Sequence, residues 1–540
     1  SSTFVTRPLL LALPPPLLHA MEASTEAAAK KPKTAGEPPI FSSVAELEAA
    51  LPPLWHEDEG VLQLRCATLA GRANGHAPLA VVDDDPTGTQ TVHSVPVLAD
   101  WSTDELVPAV SMDRPCFYVL ANTRALTAAE AAARAEEIGR NLRLAAAKAG
   151  VGPLSAVVSR GDSTLRGHYP VETEALARGL GWGAGDDCEA EAPTLVLAPF
   201  FKEGGRLTAY DVHYVAGPPG SAEDGSPKLT PAGETEFARD RAFGYTSSRL
   251  AEWIVEKHAG RPAPEVRSIS LETVRRGGPS AVAAVVTEAP PGSVLIANAV
   301  VPRDMLVVAL GCLSAELKRA PRRPLLYRSA GALVSARAAI PARPLLSPPE
   351  LGAEGCRAGL IVVGSYVSKS SDQLAVLREE CPWLTSVELS VKVLAGSGDA
   401  AASAEEARAT AEVTAVLAKG GSAVLFTSRE VLQDDGAGGL HIGARVNDAL
   451  CTVVERLLTC PTPPAFLVAK GGITSNDVAV RSLGVRRAEV LGAVVPGVPV
   501  WRCGPETRSP GLAYVVFPGN VGAKDDLARV ARKMSGRANE

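Results

Sequence analysis

Short apolar runs of four or five residues recur along the chain, separated by longer stretches in which apolar positions follow helical spacing. Leu79 to Val82, Cys116 to Leu120, Ala156 to Ser159, Leu195 to Ala198 and Val294 to Ala297 predict buried strands, with helices such as Thr127 to Ala149 between some of them. Val44 to Leu51 and Gly60 to Ala73 predict helices ahead of the first strand. Unbroken apolar runs are what a parallel sheet covered on both faces requires, and their alternation with helices implies βαβ units. Gly204 to Phe243, rich in Gly and Pro, breaks this rhythm and predicts an excursion of loops and short strands, of the kind that often covers a site. A second break at Ile340 to Gly355 predicts an interdomain linker. Beyond it, strand signals resume at Gly359 to Gly364, Ala423 to Thr427, Ala465 to Ala469 and Tyr514 to Phe517. The expected fold is α/β, with two domains built on mainly parallel sheets and a crevice between them. The expected boundaries are a leader over 1–40, a first domain over 41–339, a linker over 340–355 and a second domain over 356–540.

Length agrees with this division, since 540 residues exceed what one core usually organises. A formal charge of -6 with scattered Lys and Arg gives no basic stripe, which argues against nucleic acid as a partner and for small molecules. No stretch reaches the ~20 uninterrupted apolar residues of a membrane span, so no membrane partner is expected. The nine cysteines include no Cys-x-x-Cys pair, which suggests neither a disulfide framework nor a zinc site and fits a reduced compartment. The expected location is the cytoplasm, with organelle import if residues 1–20, which carry Arg7 and no acid, act as a transit segment. Residues 22–39 are too polar to order themselves.

Candidate chemistry begins at Val81 to Gln90, VVDDDPTGTQ, where Asp83, Asp84 and Asp85 crowd the carboxyl end of the first strand. Ligands of open α/β sheets bind at that edge. A capped turn would need only one of these carboxylates, at Asp85 or Thr87, so three together point to something bound or deprotonated. After the strand ending at Ser159 come Arg160, Gly161, Asp162, Ser163, Thr164, Leu165 and Arg166. Guanidinium groups at Arg160 and Arg166 suit a carboxylate, and Asp162, Ser163 and Thr164 suit the hydroxyls of a sugar acid. The alternative is a capped helix start with Arg166 in a surface ion pair. Asn122, Thr123 and Arg124 form a third polar cluster, for which a capped turn before the helix at Thr127 is the stronger reading.

In the second half, three glycine turns follow strands: Gly364 and Ser365; Gly471, Gly472, Ile473, Thr474 and Ser475; and Gly519, Asn520, Val521 and Gly522. Backbone N–H groups in such turns can face an anion, and three in one domain suggest a phosphate cradle. No G-x-x-x-x-G-K-[ST] loop occurs, and the alternating Gly179, Gly181, Gly183 and Gly185 follow a helix rather than a strand, so neither a Walker loop nor a dinucleotide fingerprint is present. An oxidoreductase is disfavoured for that reason. The eight histidines show no metal spacing; His93, His168 and His213 fall near the candidate segments, and a structural role is the better expectation for each.

In combination these segments resemble the four-carbon acid sugar kinase family, in its longer, eukaryote-like form. Its Asp-Asp-x-Thr-Gly motif is matched by Asp84 to Gly88, its Asp-Ser-Thr-Leu-Arg-Gly motif by Asp162 to Gly167, and its three C-terminal glycine turns by Gly364 and Ser365, Gly471 to Ser475, and Gly519 to Gly522. The matched stretch runs from about Leu79 to the C-terminus, and it departs from the bacterial pattern at Pro86 and Lys470. The resemblance implies an ATP-dependent kinase, with magnesium, acting on the terminal hydroxyl of threonate, erythronate or their oxo forms. It implies Asp84 or Asp85 as base, with a slight preference for Asp85. Thr87, Arg160, Asp162, Ser163, Thr164 and Arg166 would bind the sugar acid, and Ser365, Gly471, Gly472, Thr474, Ser475, Gly519 and Asn520 would bind ATP. Because the two sites lie on different domains, closure about the linker is expected to unite them. A homo-oligomer is compatible with this reading. The competing reading is a catalytically silent module that binds an acid sugar or a nucleotide.

Overall fold

Two sets of parallel strands, eight in the first half and five in the second, and the hairpin that joins them carry the candidate residues at or near their carboxyl ends. The computed structural model describes residues 39–71, 77–183, 188–319, 322–353, 355, 357–364, 368–396, 398–428 and 437–537. The strands are β1 (Leu79–Asp83), β2 (Val95–Leu98), β3 (Cys116–Leu120), β4 (Ala156–Arg160), β5 (Thr194–Ala198), β6 (Arg206–Ala209), β7 (Val212–Ala216), β8 (Leu229–Pro231) and β9 (Val266–Ile269). They continue with β10 (Val294–Ala297), β11 (Leu325–Ser329), β12 (Leu360–Val363), β13 (Leu384–Leu389), β14 (Ser422–Thr427), β15 (Phe466–Lys470), β16 (Arg487–Val495), β17 (Val498–Cys503) and β18 (Ala513–Phe517).

Fifteen of them form one sheet in the order β13-β14-β12-β15-β18-β17-β16-β2-β3-β1-β4-β11-β5-β10-β9. β1, β3, β4, β5, β15 and β18 are buried along their whole length, because helices cover both faces. The helix Ala128–Ala149 starts where its sequence says it should: Thr127 and Glu130 form a capping box, with Thr127 N–H donating to Glu130 Oε2 at 2.9 Å. The excursion folds as the small antiparallel sheet β6-β7-β8.

The expected pair of sheets is joined into one. The β16–β17 hairpin is antiparallel to its neighbours, and β16 pairs with the edge strand β2, Val490 opposite Val95 and Arg487 opposite Leu98. Pairing two edges removes two rows of unsatisfied N–H and C=O groups, a physical reason for the union. Residues 340–355 do not stand free of this seam. Leu346 is buried and donates its N–H to Ala493 O at 2.9 Å, and Arg343 Nη1 donates to Leu491 O at 2.9 Å.

Trp501 on β17 is fully buried and donates Nε1–H to Thr89 Oγ1 at 3.0 Å, tying the hairpin to the turn after β1. Trp501→Ala should lower stability by about 3–5 kcal/mol, the usual cost of emptying a large aromatic site. In urea unfolding followed by circular dichroism, a loss well under about 1 kcal/mol would show that the seam contributes little.

Candidate functional site

Asp83, Asp84 and Asp85 leave the end of β1 and enter a 3₁₀ turn, Pro86–Thr89. Their main chain is pinned from two sides. Asp84 N–H donates to Arg160 O at 3.2 Å, Asp83 O accepts from Ala121 N–H at 2.9 Å, and Asp84 O accepts from Arg124 N–H at 3.2 Å. The loop after β3 is thereby delivered to the acidic turn, and Arg124 with it. Arg124 grips Asp84 through a fork, Nη2 to Oδ1 at 2.6 Å and Nε to Oδ2 at 3.2 Å, and its Nη1 lies 3.7 Å from both Asp85 Oδ2 and Asp162 Oδ1. Burial works against its charge, but Asp84, Asp85 and Asp162 outweigh that and hold it firmly protonated.

The three carboxylates have three different surroundings. Asp83 is buried and lies 3.9 Å from Arg160 Nε; burial pushes it up to about 8, with Arg160 opposing and Asp84 and Asp85 adding to the rise. It sits so close to the following turn that a β-carbon at Gly88 would collide with its carboxylate. Asp84 is also buried, held by Arg124 and flanked by Arg160 at 4.0 Å and Arg328 at 3.9 Å. Asp85 alone of the three lines the open cleft. Its Oδ1 accepts from Thr87 N–H at 2.8 Å and from the Thr87 hydroxyl, while Oδ2 accepts no hydrogen bond among the described residues.

The loop after β4 is built around Asp162. Arg166 Nε donates to Asp162 Oδ2 at 2.8 Å, and Thr164 donates to the same oxygen through its hydroxyl. Burial alone would raise Asp162, but Arg166 and Arg124 drive it well below the carboxylate range. One contact from the excursion and one from just beyond it hold this loop: His213 Nε2 donates to Ser163 O at 2.8 Å, and Tyr245 OH donates to Thr164 O at 2.8 Å. Burial lowers His213 to about 4, so the ring is neutral and its Nδ1 accepts from Thr208 Oγ1 at 2.9 Å. Nε2 of His93 and of His168 likewise contacts a backbone carbonyl, of Pro341 and of Leu126. None of the three is spare for chemistry.

In the second half, Gly471 takes a φ of 113°, which disfavours a side chain, and Gly472 opens the helix Gly472–Asp477. A β-carbon at Gly472 would strike the Asp85 carboxylate, so the acidic turn and this glycine turn are in contact across the cleft. Lys470, the last residue of β15, is fully buried; its Nζ donates to Pro518 O and to Gly519 O at 3.2 Å, over the ring of Phe517 at 4.2 Å. Burial lowers it to about 7, Lys369 adding to the fall and Asp526 opposing it. The Gly519 turn is therefore fastened to the end of β15 with its carbonyls directed at Lys470.

One cleft of about 2510 Å³ runs along both glycine turns and the acidic turn. Of the expected residues, Asp85, Thr87, Arg166, Gly471, Gly472, Thr474, Gly519 and Asn520 line it. Arg160 does not reach it, being turned beneath the floor toward Asp83 and Asp84. Asp162, Ser163 and Thr164 also stand back from the lining, where Asp162 and Thr164 hold Arg166. Ser475 donates its hydroxyl to Ala469 O at 2.9 Å and is fully buried, so its side chain faces the core. Ser365 lies outside the described residues. Arg124 is central to the site although its sequence context favoured a plain turn. Arg328, bonded to Ser159 and Glu172, is a second residue that the linear pattern did not single out; an Arg inside the buried strand β11 is the signal that could have found it. Among the described residues no three His, Cys, Asp or Glu side chains converge on a metal position, and no helix is long and apolar enough to cross a membrane.

A sugar-binding N-terminal domain model matches residues 79–337, and a nucleotide-binding C-terminal domain model matches residues 360–527. No curated protein matches the chain. Among solved structures, the chain is similar to a Salmonella typhimurium LT2 protein whose name suggests a tRNA synthase, at 19% identity and a TM-score of 0.59 over 84% of this chain and 99% of that one. It is also similar to the Haemophilus influenzae protein HI1011, of the DUF1537 family, at 16% identity and a TM-score of 0.54 over 84% of this chain and 100% of that one. These two likenesses carry the fold, and the paired sugar-binding and nucleotide-binding matches carry the lineage: the chain belongs to the four-carbon acid sugar kinase family.

Proposed function

We propose that the protein is a kinase that transfers the γ-phosphoryl group of ATP to the terminal hydroxyl of a four-carbon sugar acid such as threonate, erythronate or 3-oxo-tetronate. Residues 41–339 would hold the acid and residues 356–540 the nucleotide. The observation that carries this reading is the contact of Asp85 with Gly472, which sets a carboxylate against a glycine turn inside one cleft. Phosphoryl transfer needs little else from a protein than positioning, an acceptor for one proton and donors for developing charge.

Asp85 Oδ2 is the proton acceptor in this scheme. As the substrate hydroxyl oxygen bonds to the γ-phosphorus and the bond to the ADP oxygen breaks, the hydroxyl proton passes to Asp85, whose other oxygen stays fixed by Thr87. Asp84 is a poorer base because Arg124 occupies both of its oxygens, so its role is to orient Arg124. Arg124 and Arg166 supply positive charge along the cleft, with Asp162 and Thr164 acting through Arg166. Gly471, Gly472, Thr474, Gly519 and Asn520 would cradle the phosphates. Magnesium would be carried by the nucleotide's phosphates and water, the usual arrangement for this ion, rather than by a protein cage. A tRNA-directed activity, the reading that one neighbour's name invites, is disfavoured by a net charge of -6 with Lys and Arg scattered along the sequence.

Asp85→Asn should lower kcat by about 10²–10⁴-fold while leaving the ATP-induced rise in melting temperature intact. A coupled ADP-release assay with tetronates checks it. A variant as active as the parent removes Asp85 from the mechanism, and a parent without turnover on any tetronate favours the silent binding module.

Lys470 gives a second, pH-dependent test of the cradle. Above about 7 the folded protein releases the Lys470 proton, whereas the unfolded chain keeps it up to about 10.5. The unfolded state thus binds more protons across that window, and stability rises with pH there. The melting temperature of the parent should climb relative to that of Lys470→Met between pH 7 and roughly pH 9.5, and parallel curves would mean that Lys470 is not held in a charge-averse setting.

A further inference from the structure

The guanidinium groups around the acidic turn and the loop after β4 each have a protein carboxylate beside them. Arg124 has Asp84, Arg160 lies 4.0 Å from Asp84, Arg328 lies 3.2 Å from Glu172, and Arg166 has Asp162 at 2.8 Å with Asp240 at 3.7 Å. Arg206, the first residue of β6, lines the same cleft and has none. Among the described residues it makes no side-chain hydrogen bond and no ion pair, and its Nε is buried without a partner. Its one recorded contact of an attractive kind is with the ring of Phe237, 5.3 Å away, which Arg166 also faces at 5.4 Å. Asp162 and Glu236 act on it only from farther off, and Arg166 opposes them.

Arginine does not escape burial by losing its proton, so an unanswered guanidinium is a standing cost to the fold unless a ligand answers it. The turn ahead of β6 is shaped to leave the group in place. A β-carbon at Gly204 would come within 2.8 Å of Arg206 Nη1. The neighbour across Phe237, Arg166, is the guanidinium already placed on the sugar-acid side of the site. A planar fork with no protein carboxylate, beside a second cation and in an open cleft, matches a carboxylate better than a neutral hydroxyl, to which it offers weaker, single hydrogen bonds.

We propose that Arg206 receives the carboxylate of the sugar acid and is the residue that selects acids over neutral polyols. This rests on the reading of the cleft as a sugar-acid site and adds the residue that enforces it. The excursion then contributes to recognition directly, by adding to Arg166 a cation that no protein carboxylate holds.

The test is binding without nucleotide, by calorimetry on the full chain, of threonate, erythronate and the neutral polyol erythritol. Arg206→Met should weaken tetronate binding by about tenfold or more, bring acid and polyol to within about twofold of each other, and leave the melting-temperature shift with ATP unchanged. Arg206→Gln, which keeps donors and loses the charge, should fall on the same side, and it serves in place of the Met variant should that one not fold. Tetronate binding within about twofold of the parent in either variant overturns the assignment, as does a parent that binds neither tetronate. Tetronate binding by the parent without ADP release would defeat the kinase reading while leaving Arg206 to be judged on binding alone.

Discussion

Three adjacent carboxylates at the end of a buried strand can coexist only if cations reach them, and that requirement organises the whole first half of the molecule. The cations come from the ends of the neighbouring strands or the loops after them: Arg124 after β3, Arg160 at the end of β4 and Arg328 on β11. The backbone bonds from Asp83 and Asp84 to Ala121, Arg124 and Arg160 are the means of delivery, because they fix the loops before any side chain is placed. Even so the charge is not fully matched, and burial keeps Asp83 protonated to about pH 8. Of the three, only Asp85 is reachable from the cleft. Removing a single partner from such a network leaves a buried charge exposed to nothing, which typically costs about 3–5 kcal/mol, so the floor is rigid for the same reason that it is charged.

The second constraint is the seam. Because β16 pairs with β2, the strands that carry Asp85 and those that carry the glycine turns belong to one sheet, and the turn after β1 is held against the second set of strands by the bond of Trp501 to Thr89 and the contact of Asp85 with Gly472. An opening movement about residues 340–355 would have to break the bond of Leu346 to Ala493 as well as the ladder between β16 and β2. Phosphoryl transfer is unforgiving of misplacement, since an ångström of error can cost about 10²-fold in rate. A shared sheet is an economical way to hold two binding surfaces to that tolerance.

Much of this was legible in the sequence, and the boundary of legibility is physical. β1, β3, β4, β5, β10, β12, β14, β15 and β18 announce themselves because a strand buried on both faces must be apolar without interruption. β2 and β16 do not. β2 is the four-residue Val-Pro-Val-Leu, β16 alternates buried and half-buried positions, and nothing local says that two such edges belong together. The motifs at Asp84 to Gly88 and at Gly471 to Ser475 could be read because they need particular backbone shapes at fixed offsets. Direction of the side chains could not. Ser475 sits between Thr474 and Asn476, which line the cleft, and yet faces the interior onto Ala469 O; Arg160 turns to Asp83 and Asp84, and Arg124 faces the carboxylates because the β3 loop is laced to Asp83. Which way a long side chain leaves a loop depends on the charge that waits for it in the fold, and a linear pattern carries no record of that.

Counting those charges gives the site its direction. Between Asp85 at the glycine turns and the excursion, acid and base alternate through contact: Asp85 with Arg124, Arg124 with Asp162, Asp162 with Arg166, and Arg166 with Asp240. A chain of this kind satisfies its own members and leaves only its ends to act. At one end Asp85 Oδ2 accepts no hydrogen bond among the described residues, and it faces the turn where a phosphate would lie. Beyond the other end, across the Phe237 ring from Arg166, Arg206 stands outside the chain with no carboxylate paired to it. A hydroxy acid presents the complementary pair, a proton to give at one end of a short carbon chain and an anion at the other. On the proposed reading, the anion of such an acid would answer Arg206 and its hydroxyl would face Asp85, while Asp84, Asp162, Arg124 and Arg166 answer one another in between.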